Sequence, residues 1–334
     1  MKSPSNFPER CDLHIHIGAS VAPHVMWSIA HQQGLRLPVK DYWEFVEMIT
    51  VNPRKCKSLE DYLRILHEWT ERIQSSPMAI ERSVYEIIGK EYRSSHVSQI
   101  ELRFNPMKRN LQGERDLDHI IHAAIRGMDQ ACLEYGVKAG LILCLAREFT
   151  PEINQIILEK AIKYQPRGVI GIDVAGTETK RIELEDGVQA YASMFAAAKS
   201  AGLGTTIHTG ETVSTAGEGV VAVIEKLKPD RIGHGIQSAY SEEALKRLAD
   251  SGTVLEICPT SNLHTRAVRH LEEFKYILGT FLERDVAFTI NTDGTYLCGT
   301  NLQREFTLLE EAEILSKEES DVIRRRAFDV SFLT

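Results

Sequence analysis

"GVIGIDVA", residues 168–175, is a short run rich in Val and Ile; "VQAYASMFAAAKSAG" (188–202) and then "LGTTIH" (203–208) follow it. A short apolar run, a longer amphipathic one and a second short apolar run read as strand, helix and strand, the repeating unit of a parallel sheet. The same alternation extends in both directions. "VSQIELRF" (97–104), "VKAGLILCLA" (137–146), "RIGH" (231–234), "TVLEIC" (253–258) and "VAFTINT" (286–292) read as further strands, and "CDLHIHI" (11–17) makes eight. Among the intervening helical patterns, "DLDHIIHAAIRGMDQACLEYG" (116–136) and "SEEALKRLADSG" (241–252) each end on glycine, as helix C-caps often do. Eight such alternations predict an α/β protein, a closed (β/α)8 TIM barrel.

One stretch departs from the rhythm. Residues 20–96 are too many for one strand-to-helix return, and "EDYLRILHEWTERI" (60–73) and "MAIERSVYEIIGKEYRSS" (78–95) are helical in pattern. They predict extra helices after the first strand, lying over the C-terminal mouth. With no internal repeat, low-complexity tract or linker, residues 1–334 read as a single barrel domain.

Composition narrows the function classes. The chain is 43% hydrophobic and 26% charged, an ordinary globular balance, and a net charge of −8 argues against a nucleic-acid partner. The start "MKSPSNFPER" has no apolar signal core and no apolar run reaches membrane length, so a cytoplasmic protein without membrane association is expected. Six scattered cysteines, none in a C-x-x-C pair, read as reduced and mostly buried thiols.

In barrels of this kind the chemistry sits at the C-terminal strand ends. Those positions hold His14 and His16 after the first strand, His208 after the fifth, His234 after the sixth and Asp293 after the eighth. Side chains at i and i+2 of a strand share a face, so His14 and His16 can converge on one point. A lone strand-end histidine is more often structural; five such groups on one barrel point to a metal site. His14, His16, His208 and Asp293 form a donor set suited to zinc, which makes hydroxide available at neutral pH. Glu211, three residues beyond His208, is placed as general acid/base, and His234 to hold and polarise the attacking hydroxide. The remaining histidines receive no role, although His264 reads as close to the mouth.

The motifs "DLHIH" (12–16), "ELRFNP" (101–106), "IDVAGTE" (172–178), "HTGE" (208–211), "RIGHG" (231–235), "CPTSN" (258–262) and "NTD" (291–293) occur in that order, with "DVSF" (329–332) near the end. Together they resemble the adenosine/AMP deaminase family of the metal-dependent amidohydrolase superfamily. The resemblance implies hydrolytic release of ammonia from an amino-substituted heterocycle, by default an adenine-like purine, with one zinc ion per chain. It places His14, His16, His208 and Asp293 on the zinc ligands and Glu211 on the group that protonates a ring nitrogen. It places His234, with Asp293, on the attacking hydroxide, and the backbone N–H of Gly176 on another ring nitrogen.

Two departures bear on the substrate. Gly18 stands where adenosine-acting members usually carry an acidic residue facing the ribose, and Gly294 where the family has a second aspartate bonding the purine five-membered ring. The glycines are expected to remove two charges and add volume, making plain adenosine a poor substrate and favouring a bulkier, phosphorylated or otherwise anionic aminopurine. A non-purine aminoheterocycle such as a pterin is the alternative substrate. A catalytically inactive binding barrel is the alternative of another class, although a purely structural metal site needs neither Glu211 nor His234.

Overall fold

The computed structural model describes residues 9–51, 55–111, 113–184 and 187–333; most of the N-terminal stretch read above lies outside them. Eight strands run in parallel and hydrogen-bond in chain order: β1 (Arg10–His16), β2 (Val97–Phe104), β3 (Lys138–Ala146), β4 (Val169–Ala175), β5 (Gly204–Thr209), β6 (Arg231–His234), β7 (Val254–Ile257) and β8 (Phe288–Ile290). Sequential neighbours joined by helices are what the right-handed β–α–β connection produces. Closure comes just beyond β8. Ile15 and Asp293 form a parallel bridge, His16 N donates to Asp293 O (2.7 Å) and Asp293 N to His14 O (2.7 Å). The seam of the barrel therefore runs through the predicted metal ligands.

Strand alternation divides the residues between two layers. One set, including Leu102, Ile172, Ile207, Ile232, Leu255 and Phe288, is fully buried in the main apolar core. The other set carries Glu101, Arg103, Asp173, Arg231 and Glu256, each at most 1% exposed. Branched aliphatic residues usually fill a barrel interior. Here charged side chains occupy it, and they survive burial because they pair with one another. Gly136 and Gly252 take the left-handed conformation as helix C-caps, whereas the helix Val188–Ser200 is capped by Ala201, one residue before Gly202.

The stretch after β1 is helical, with segments at Pro23–Gln32, Tyr42–Ile49, Leu59–Ile65 and Pro77–Ser95. The pattern over 60–73 reads as one continuous helix, but the structure interrupts it with a π-turn, Leu66–Thr70, closed by Glu71 N–H bonding Leu66 O. A π-turn inserts one residue into the helical repeat and commonly marks functional sites. This one swings Leu66, His67 and Glu71 onto the cavity at the C-terminal strand ends. No helix among the described residues is long and apolar enough to cross a membrane. The six cysteines are free, and all but Cys132 are buried.

Candidate active site

A cavity opens at the C-terminal strand ends. His16, His208, His234, Glu211 and Asp293 line it, and His14 lies directly beneath, fully buried. The ring nitrogens of His14, His16 and His208 that face one another all fall within 4.8 Å. His16 Nε2 is 3.2 Å from His208 Nε2, and Asp293 Oδ1 lies 3.8 Å from His14 Nε2 and 3.6 Å from His16 Nε2. Gly233 makes this crowding possible: a Cβ there would sit 3.1 Å from His14 Cε1 and 3.2 Å from the His208 ring.

Carboxylates behind the rings fix their tautomers. His14 Nδ1 donates to Glu256 Oε2 (2.8 Å) and His208 Nδ1 to Asp173 Oδ1 (3.1 Å), because a carboxylate only accepts. Both rings therefore turn an Nε2 lone pair toward the same point, and His14 Nε2 is buried with no hydrogen-bond partner. Arg103 joins the two carboxylates, donating to Glu256 Oε2 (2.9 Å) and Asp173 Oδ2 (3.3 Å). Burial, helped by Arg103 and the other rings, holds the pKa of His14 and His16 well below the usual histidine range, so both rings are neutral at pH 7. Asp173 is held below the ordinary carboxyl range: burial opposes its charge, but His208 and Arg103 outweigh that cost. Converging imidazole lone pairs, with the His14 and His208 rings braced from behind, fit a divalent metal.

The other polar groups face this centre from one side. Glu211 is 2% exposed; burial, then Glu178 and Asp293, push its carboxyl well above the usual range, while Thr265 donates to Oε1 (2.9 Å). His234 Nε2 lies 3.7 Å from Glu211 Oε2, and the Asn262 amide is 3.0 Å from Nδ1. Burial, then His208, lowers the His234 pKa to about 3, leaving it neutral. Ser261 donates to Asp293 Oδ2 at 2.5 Å. His234 (φ 61°) and Asp293 (φ 61°) both adopt left-handed backbone, which costs a non-glycine residue about 1–2 kcal/mol. The strain is sited where the chain turns these two side chains into the cavity.

Among the expected substrate-side residues, Gly18 and Gly176 line the cavity and Gly294 does not. The expectation of added volume at the two departures is overturned. A Cβ on Gly18 would meet Leu66 Cδ1 at 2.8 Å, Arg109 Nη2 at 3.1 Å and Glu71 Cγ at 3.1 Å; one on Gly294 would meet the Ala19 Cβ at 2.5 Å and the Tyr62 hydroxyl at 2.7 Å. Neighbouring side chains already fill both spaces. Nor is negative charge lost beside Gly18, because Glu71 stands there, 2.8 Å from Arg109 and 2.6 Å from His67 Nδ1. Against the cost of burial, Arg109 and His67 hold its carboxyl below the ordinary range.

His67, left without a role by the sequence, lines the cavity, whereas His264, expected near the mouth, does not. Glu256 and Asp173 were visible as single acids inside apolar strands, but nothing local named their histidine partners. Lys108, 3.3 Å from His67 Nε2 and 3.7 Å from Glu148 Oε1, extends the polar rim.

A barrel with this site belongs among the hydrolases that act on C–N bonds, and comparison with known proteins carries the assignment further. Residues 9–334 match the family described as adenosine deaminase. An adenosine deaminase of Vibrio vulnificus is 31% identical over 310 residues, 93% of this chain and 90% of the relative. Among solved structures, an adenine deaminase from Arthrobacter aurescens superposes with a TM-score of 0.85 at 20% identity, covering 98% of this chain and 94% of its own. A Burkholderia ambifaria amidohydrolase with bound zinc gives 0.81 at 19% identity, with coverages of 98% and 86%. The chain belongs to the adenosine deaminase family, and it is a deaminase, a hydrolase acting on C–N bonds.

Proposed function

We propose that this chain deaminates an adenine-type ring by metal-assisted hydrolysis, with one zinc ion per chain held by His14, His16, His208 and Asp293. The observation that carries the reading is the convergence of imidazole lone pairs, two of the rings braced by carboxylates, opposite a carboxyl group kept protonated by burial. Zinc in such a site lowers the pKa of a bound water to near neutrality. Glu211 then serves as the acid, giving its proton to a ring nitrogen and regaining one from the attacking water. His234, neutral and 3.7 Å from Glu211, orients that water. The Gly176 backbone N–H, on a turn with φ +115°, receives a second ring nitrogen. A C–O bond forms at the carbon bearing the amine, the proton left on that oxygen passes to the amine, the C–N bond breaks, and ammonia leaves a ring carbonyl behind. The zinc-bound amidohydrolase of the same fold supports the choice of metal.

Around the ring site the cavity wall is apolar, formed by Leu59, Leu63, Leu66, Phe104 and Leu145, with Lys108 at the rim. Glu148 Oε2, buried and without a partner, lies 2.5 Å from where a Cβ on Gly176 would stand. An apolar wall with Lys108 at its rim suits an adenine nucleoside whose substituent is bulky and anionic better than it suits plain adenosine. Ammonia release from adenine, adenosine, adenosine 5′-monophosphate and bulkier anionic derivatives tests this. Adenosine is expected to trail the best anionic compound by about a hundredfold, the worth of one charged hydrogen bond. An adenosine kcat/KM of about 10⁶ M⁻¹s⁻¹ or above would overturn the substituent argument.

A further inference from the structure

The motif "DVSF" (329–332) takes no part in the chemistry proposed above, yet it ends in the barrel floor. Ser331 Oγ and Phe332 N both donate to Glu101 Oε1, at 2.7 and 2.6 Å. Val330 O accepts from Arg231 Nη1 (2.8 Å), and the Phe332 ring lies with its centroid 3.6 Å from the Arg231 guanidinium carbon. Two strand glycines admit that ring: a Cβ on Gly204 would fall 2.3 Å from it and one on Gly171 would fall 3.1 Å away.

From this floor a line of charged hydrogen bonds climbs the barrel interior. Arg231 bonds both oxygens of Glu101 and, through Nε, Glu256 Oε1 at 2.7 Å. The other oxygen of Glu256 holds His14 Nδ1 (2.8 Å). Glu101 and Glu256 are fully buried and Arg231 is 1% exposed, so inside the barrel these groups serve as one another's partners. A guanidinium presents its donors in one rigid plane, so the tail, Glu101 and Glu256 are tied to a common orientation.

We propose that the C-terminal segment Val330–Phe332 is a positioning element for the active site: through Arg231 it sets the carboxylate of Glu256, and through Glu256 the ring of His14. The proposal rests on His14 being a metal ligand. It assigns the tail no contact with substrate; what it assigns is a coupling between the barrel floor and the metal affinity of the mouth. Such coupling is reciprocal, so metal binding must in turn hold the tail more tightly.

The test uses the wild-type protein first. Amide hydrogen exchange at Phe332 is compared between chelator-stripped and zinc-loaded protein, and zinc is expected to slow it about tenfold, the lower end of what partners behind a metal ligand are worth. Zinc affinity by chelator competition is then measured for Phe332→Leu and Arg231→Lys, with thermal melting of the stripped forms to establish folding. Each variant is expected to bind zinc about 10–100-fold more weakly and to alter the visible spectrum of the cobalt-substituted site. Equal exchange at Phe332 with and without zinc overturns the proposal, even if neither variant folds; wild-type affinity and spectrum in a folded variant overturn it equally. His14→Ala separates the two levels. If it binds zinc as wild type does, the metal-site reading itself fails; if it loses zinc while exchange at Phe332 ignores the metal, only the role of the tail is refuted.

Discussion

Replacing Glu211 by Gln separates catalysis from stability at a single atom. The amide keeps the shape and an oxygen to accept from Thr265, now 2.9 Å away, but carries no exchangeable carboxyl proton. Loss of a positioned acid/base costs about 10²–10⁴ in rate, or about 2.7–5.4 kcal/mol of transition-state stabilisation. Stability should move the other way. Burial and the nearby Glu178 and Asp293 raise the Glu211 pKa in the folded chain. The neutral form therefore favours folding, and that contribution is lost as pH rises from the unfolded value toward the raised one. Gln cannot ionise, so the variant should melt no lower than wild type at pH 5 and higher at pH 8, with unchanged metal content. Steady-state deamination and calorimetry across that pH range measure both effects. Near-wild-type turnover, or a variant that loses stability as pH rises more than wild type does, would refute the role given to this carboxyl.

His208→Ala should lower bound zinc from one equivalent per chain to a small fraction, measured by elemental analysis; two equivalents in wild type would contradict a single site. Gly18→Ala forces a methyl to within 2.8 Å of Leu66 Cδ1 and should cost about 1–3 kcal/mol by overpacking, read by denaturant unfolding. Pairing it with Leu66→Ala should cost less than the sum of the two single changes, because each relieves the other. Glu305, fully buried and bonded to Thr260 N at 3.0 Å, has its carboxyl pushed up to about 7 by burial. Its neutral form favours folding below the unfolded pKa, and the benefit is lost as pH climbs to 7. Glu305→Gln should therefore gain on wild type over that window, by up to about 3 kcal/mol at 1.36 kcal/mol per pH unit.

What was legible in the sequence followed from short-range periodicity. Alternation along "CDLHIHI" places His14 and His16 on one face, and strand-end position brings His208, His234 and Asp293 to the same rim. The environment of the two glycines was not legible, because Leu66, Glu71 and Arg109 reach Gly18 from segments about 50 and 90 residues away. Their approach depends on the π-turn at Leu66–Thr70, and a helical hydrophobic pattern does not betray one inserted residue. Nor did local sequence reveal that Glu256 braces His14 while Asp173 braces His208, since the partners lie on different strands, 242 and 35 residues apart in the chain. The acids stood out in apolar strands; only the closed barrel tells which histidine each one meets.

If deamination of an adenine-type ring depends on a metal held by His14, His16 and His208, ammonia release from a panel of adenine derivatives must follow zinc through three states: zinc-loaded protein, chelator-stripped protein, and stripped protein given zinc back. Rapid release by the loaded form, loss on stripping and recovery on reloading are the results expected. Equal turnover by the stripped protein, or no ammonia from any aminopurine with zinc bound, would contradict the account.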